Sequence, residues 1–190
     1  MQKSRRWRPV CVGILSVAAG YLATVVAEEE AKPKVTVQIA SWEETQRLVA
    51  HQKGKIVVLD AWSTSCTPCV KEFPNLVKLH KRHADKGVVC VSMSCDYAGI
   101  KNKPPEFYQE RVLKFLEKQQ ATFLNILSNV PSDDLFEQMQ LSSIPAVYVY
   151  GWDGKLVKRF DNEEAQSEED NFTYEDITKL VEDLLAKKPK

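Results

Sequence analysis

Hydrophobic positions along this chain follow two rhythms, one of period two and one near 3.6, separated by short turns. Val35 to Ile39 alternates as a strand does. Ser41 then reads as an N-cap, and Glu44 completes a capping box for a helix to about Gln52 that Gly54 ends. Ile56 to Leu59 is an unbroken apolar run, as expected for a strand buried on both faces. Cys69 to about Ala84 reads as a helix with Val70, Phe73, Leu76, Val77 and His80 on one broad face. Val88 to Met93 is a second buried strand, and 105–119 a helix beginning at Pro105 and carrying Phe107, Val112, Phe115 and Leu116. Phe123 to Leu127 is a short strand, after which Ser132-Asp133-Asp134 caps a helix to about Met139. Ala146 to Tyr150 and Leu156 to Phe160 flank a Gly-rich turn and predict a hairpin. Tyr174 to Lys187 is an amphipathic helix on Ile177, Leu180, Val181, Leu184 and Leu185.

The predicted order is β-α-β-α-β-α-β-α-β-β-α. Strands that first alternate with helices and then close in a hairpin imply an α/β domain over 35–187: a mixed central sheet with helices on both faces. Residues 161–176 hold eight acidic side chains and few apolar ones, which predicts a solvated loop. Asn171-Phe172-Thr173 spells a glycosylation sequon, a triplet that also arises by chance.

The first 27 residues depart from this pattern. Lys3, Arg5, Arg6 and Arg8 form a basic start without acids, Val10 to Ala27 carries no charge, and Glu28-Glu29-Glu30 ends the run. A cleaved signal peptide and an uncleaved membrane anchor both fit such a segment, and residues 28–34 then form a polar linker. Either reading puts the domain outside the cytoplasm, periplasmic or secreted, with membrane contact only if 10–27 stay attached. From Glu28 onward 22 Lys and Arg face 26 Asp and Glu, a net charge of −4, which gives no reason to expect nucleic acid as a partner.

Of five cysteines, Cys11 lies in the export segment, leaving Cys66, Cys69, Cys90 and Cys95. Four are too few for a disulfide scaffold in a domain of this size, so they point to a site. Cys66-Thr67-Pro68-Cys69 joins the end of a buried strand to the start of a helix. Free backbone N–H groups and the positive end of the helix dipole favour a thiolate there, and Pro68 suits the first helical turn. Cys66 is thus expected to be the exposed nucleophile, with Cys69 shielded about one turn further in.

Here the sequence resembles the thioredoxin superfamily. Asp60, six residues before Cys66, stands where that superfamily has its buried acid; Trp62 matches its aromatic, Pro74 the proline of its active-site helix, and Ser143-Ile144-Pro145-Ala146 its cis-proline loop. The helix-strand unit inserted at about 105–127, and Lys71-Glu72-Phe73-Pro74 after the second cysteine, look more like the TlpA-like branch. The resemblance implies a thioredoxin-like fold and an extracytoplasmic thiol–disulfide oxidoreductase, working as a reductase in cytochrome c maturation or thiol repair. Its implied site is Cys66 and Cys69, with Asp60 or Glu72 deprotonating Cys69, and with Trp62, Ile144 and Pro145 binding substrate. The implied partners are protein thiols and disulfides, with room for an upstream membrane electron donor. No cofactor beyond the Cys66–Cys69 disulfide, and no metal, is implied.

Other readings compete with these. The pair could be an inert disulfide in a binding module, or Cys66, Cys69, Cys90 and Cys95 could hold zinc, although Cys90 lies inside a buried strand. Cys90 reads as a small buried hydrophobe, while Cys95 ends a strand on the same sheet edge as Cys66 and is a second redox candidate. A peroxidase of this superfamily would need a proline where this chain has Leu59.

Overall fold

A computed structural model describes residues 33–189, and its elements succeed one another as the two rhythms predict. They are β1 (Gln38–Ala40), α1 (Trp42–Ala50), β2 (Ile56–Trp62), α2 (Thr67–His83), β3 (Val88–Ser94), α3 (Pro105–Gln119), β4 (Leu124–Ser128), α4 (Ser132–Met139), β5 (Ala146–Tyr150), β6 (Leu156–Phe160) and α5 (Tyr174–Ala186). The signal or anchor expected over 1–27, and the first part of the linker, lie outside the described residues. Among the described residues no helix is long and apolar enough to cross a membrane.

The strands form one mixed sheet in the order β1-β4-β3-β2-β5-β6. β2 lies at its centre, parallel to β3 and antiparallel to β5, and every one of its residues is buried. That is why its sequence runs apolar without alternation. Beyond β3 come β4 and β1, both parallel, and β6 closes the far side antiparallel to β5. Alternation along β2 divides the core in two. Ile56, Val58 and Trp62 pack with α2, α3 and α5, whereas Val57, Leu59 and Ala61 pack with α1 and α4. Helices therefore cover both faces, and the mixed sheet of a thioredoxin-like fold is present.

Several boundaries move for identifiable reasons. β1 is shorter than Val35–Ile39 because only Gln38–Ala40 find partners on β4, and the Thr36 carbonyl instead accepts from Asn125 Nδ2 at 3.1 Å. β2 runs on to Trp62, paired throughout with β3, so Asp60 sits inside the strand. α2 starts at Thr67, with Cys66 as its N-cap. The capping box of α1 forms as read, Glu44 N–H donating to Ser41 Oγ at 3.1 Å and Ser41 N–H to Glu44 Oε2 at 2.7 Å. At α4 the cap is Pro131, and Ser132 is already helical, its N–H donating to the Tyr97 carbonyl at 2.8 Å. Gly87 leads into β3 at φ 95°, a left-handed conformation that favours glycine, and a Cβ there would meet the Trp152 ring at 3.3 Å.

Candidate active site

The loop between β2 and α2 is fixed before the cysteines are reached. Ser65 N–H donates to Ser63 Oγ at 3.2 Å and Cys66 N–H to the Ser63 carbonyl at 3.2 Å, which closes a tight turn. Asp96, just past β3, anchors the same loop from the side. Its carboxylate accepts from Thr64 N–H at 3.0 Å, from the Thr64 hydroxyl, from Ser94 Oγ at 2.7 Å and from Arg111 of α3 at 2.6 Å. The Asp96 side chain is fully buried, and a buried charge is tolerable because these donors and the Arg111 guanidinium compensate it.

Cys66 and Cys69 are joined by a disulfide, with Cα atoms 5.2 Å apart. Cys66 Sγ accepts the Cys69 backbone N–H at 3.3 Å, the N-cap interaction at the positive end of α2. Cys66 is half-buried and Cys69 is 3% exposed, so one sulfur faces outward and the other inward. The half-buried Ile144 carbonyl oxygen lies 3.7 Å from Cys66 Sγ, and the Ile144–Pro145 peptide is cis. Cys66, Cys69, Ile144 and Pro145 thus meet at one sheet edge, from segments 78 residues apart.

Asp60 lies on the α2 side of β2, on the face that also carries Val58 and Trp62. Its only side-chain hydrogen bond among the described residues comes from the Tyr174 hydroxyl, which donates to Oδ2, while buried Oδ1 has no partner. Ser92, its register partner on β3, turns its hydroxyl to Asn125 Oδ1 at 2.8 Å. Burial pushes the Asp60 carboxyl up to about 7, and the Tyr174 hydrogen bond partly opposes that rise. Glu72 is half-buried on α2, where Oε2 accepts from Asn75 Nδ2 at 2.8 Å and the carboxylate lines a groove shared with Tyr174.

Trp62 lies one layer below the cysteine loop. Its ring is wholly buried, with centroids 4.7 Å from both Phe73 and Phe115, so it packs in the core beneath the active-site loop. Cys90 and Cys95 are free and buried on opposite faces of the sheet, Cys90 under α2 and Cys95 under α1 and α4. Burial pushes both thiols well above the usual range. The four sulfurs therefore do not converge on one point, and Cys95 does not share the layer of Cys69.

Sequence reasoning missed two parts of this site. Thr173 and Asp176 form a reciprocal capping box that sets Tyr174 at the first turn of α5, and the Thr-x-x-Asp spacing was the available signal. The Asp96–Arg111 anchor had none, since nothing in the spacing of an acid after a strand reveals a loop folded over it.

Comparison with known proteins fits this geometry. The sequence profile of the Redoxin family matches residues 27–176. The chain belongs to the Redoxin family. This redoxin is a TlpA-like member of the thioredoxin superfamily, and it is 26% identical over 123 residues to thiol-disulfide oxidoreductase ResA of Bacillus anthracis, covering 63% of this chain and 62% of that protein. It thus spans about three fifths of the length of the ResA relatives it matches. Sporulation thiol-disulfide oxidoreductase A of Bacillus subtilis is 22% identical over 155 residues, 82% of this chain and 88% of that protein. Among solved structures, a thiol:disulfide interchange protein of Chlorobium tepidum superposes with a TM-score of 0.52 at 18% identity, covering 72% of this redoxin and 83% of that chain. A secreted disulfide oxidoreductase of Mycobacterium tuberculosis gives 0.52 at 19%, covering 71% and 86%. At such identities these structures share the fold.

Proposed function

We propose that this chain is an extracytoplasmic thiol–disulfide oxidoreductase that exchanges its Cys66–Cys69 pair with protein substrates, running as a reductase. The observation that carries this reading is the asymmetry of the pair: an outward Cys66 at a helix N-cap, backed by an inward Cys69. The names of the ResA and sporulation relatives support the same chemistry, and the basic and apolar start of the chain supports export.

In the reducing direction the Cys66 thiolate attacks one sulfur of a substrate disulfide. A mixed disulfide forms, the substrate S–S bond breaks, and one substrate thiolate leaves. Cys69 then loses its proton to Asp60 and attacks Cys66 Sγ. The Cys66–Cys69 bond forms, the second substrate thiolate leaves with a proton, and two electrons have passed from protein to substrate. An external dithiol, such as a membrane electron donor, must reduce the pair before the next cycle. Ile144 and Pro145 present a backbone edge beside Cys66 along which an extended substrate would lie. No cofactor enters this scheme.

Insulin reduction driven by dithiothreitol tests the activity. The full chain should accelerate it and Cys66→Ser should not; a Cys66→Ser variant as active as wild type refutes the proposal. Redox equilibration against glutathione tests direction, since a potential below the glutathione couple supports a reductase and one above it makes the protein an oxidase.

A further inference from the structure

We propose that Tyr174 is a positioning residue for this exchange, its hydroxyl holding Asp60 Oδ2 so that Oδ1 is left to take the proton of Cys69. The inference rests on the exchange reading and adds a residue to it.

The argument begins with what surrounds Asp60. Alternation along β2 sends its side chain into the layer shared by Cys69, Phe73 and Tyr174. From α2 that layer receives Cys69, and Glu72 faces Tyr174 nearby. From β3 comes Cys90, whereas Cys95, past its end, lies on the opposite face of the sheet; from β5 the register partner is Val147. None of these groups is a cation, and Ser92 is committed to Asn125. The carboxylate therefore has one stabilising contact, the Tyr174 hydroxyl. A carboxyl held by one oxygen cannot turn freely, and its second oxygen keeps one orientation.

Tyr174 is itself 6% exposed. It lines a groove of about 580 Å³ between α2 and α5, together with Glu72, Thr173 and His83. In the second exchange step the proton passes from Cys69 Sγ to Asp60 Oδ1 as the Cys66–Cys69 bond forms, and returns to the departing substrate thiolate.

Tyr174→Phe removes only the hydroxyl. In the oxidised full chain, carboxyl ¹³C NMR should show the Asp60 titration midpoint about one pH unit or more higher in the variant, because a hydrogen bond to the charged form is lost. The Cys69-dependent step, followed by stopped flow as thionitrobenzoate leaves Cys66 in a Cys11→Ser background, should shift its pH profile by the same amount. In an Asp60→Asn background, Tyr174→Phe should shift nothing. An Asp60 midpoint unmoved by Tyr174→Phe overturns the proposal, as does a rate profile that stays put while the midpoint moves. Should the variant fail to fold, the wild-type Tyr174 ¹³Cζ resonance serves instead: it should titrate with the Asp60 midpoint, and a flat response overturns the proposal. The exchange reading fails separately, on Cys66→Ser in the insulin assay, while the carboxyl titration does not depend on turnover.

Discussion

Replacing Asp60 with asparagine keeps the side chain's shape and its acceptor oxygen for Tyr174 while removing the charge. In the folded protein the carboxyl is pushed from 3.8 to about 7 by burial. Between those values the native state binds a proton that the unfolded chain has already released, so stability falls as pH rises through that window and levels off above it. A rise of about three pH units at about 1.4 kcal/mol per unit amounts to about 4 kcal/mol. Asp60→Asn should therefore match wild type at pH 4 and exceed it by about 4 kcal/mol at pH 8. Urea denaturation of the oxidised full chain at several pH values, followed by circular dichroism, measures this difference. A gap between the two proteins that stays constant from pH 4 to pH 8 would refute the reasoning, because it would mean that Asp60 titrates alike in the folded and unfolded states. The gain in stability should coincide with slower exchange, as expected of a charge retained for chemistry at a cost in stability.

Three further outcomes follow from the packing. Asp96→Ala removes the acceptor for Thr64, Ser94 and Arg111 and should cost about 3 kcal/mol in urea denaturation, with a loss under about 0.5 kcal/mol contradicting the anchor. Trp62→Phe should cost about 1–3 kcal/mol by leaving space between Phe73 and Phe115 while the KM for insulin stays unchanged, and a raised KM at unchanged stability would restore a substrate contact. Gly87→Ala places a Cβ at φ 95° against the Trp152 ring and should lower Tm by about 3–6 °C, measured by thermal circular dichroism; an unchanged Tm would show that the turn relaxes freely.

Much of the fold was legible because its elements carry local signals. The capping box at Ser41, the apolar run after Gly54 and the Pro105 start each fix a boundary from a few neighbouring residues. The Cys66–Cys69 pair was legible for the same reason: it sits at a junction whose strand and helix are both readable. What stayed hidden depends on distant segments. β1 loses its first residues because Asn125, far along the chain, takes the Thr36 carbonyl. Trp62 carries the same letter whether it faces substrate or core, and the outcome is decided when α3 lays Phe115 against it. Tyr174 read as the first residue of an amphipathic helix, and nothing local connected it to an acid 114 residues earlier.

That separation bears on the order in which the molecule can become reactive. β2, α2 and β3 are contiguous and carry both cysteines, yet the loop facing Cys66 arrives 78 residues later and the hydroxyl on Asp60 later still. Contacts that close such long loops form late, after nearer neighbours have paired. A chain growing from its N-terminus therefore holds both cysteines before it holds the loop that faces them or the hydroxyl that binds the acid. A polypeptide interrupted before Thr173 would stop there, with its sulfurs intact and its acid unheld, so chain growth must reach the far side of the acidic loop before the cysteines gain their full surroundings.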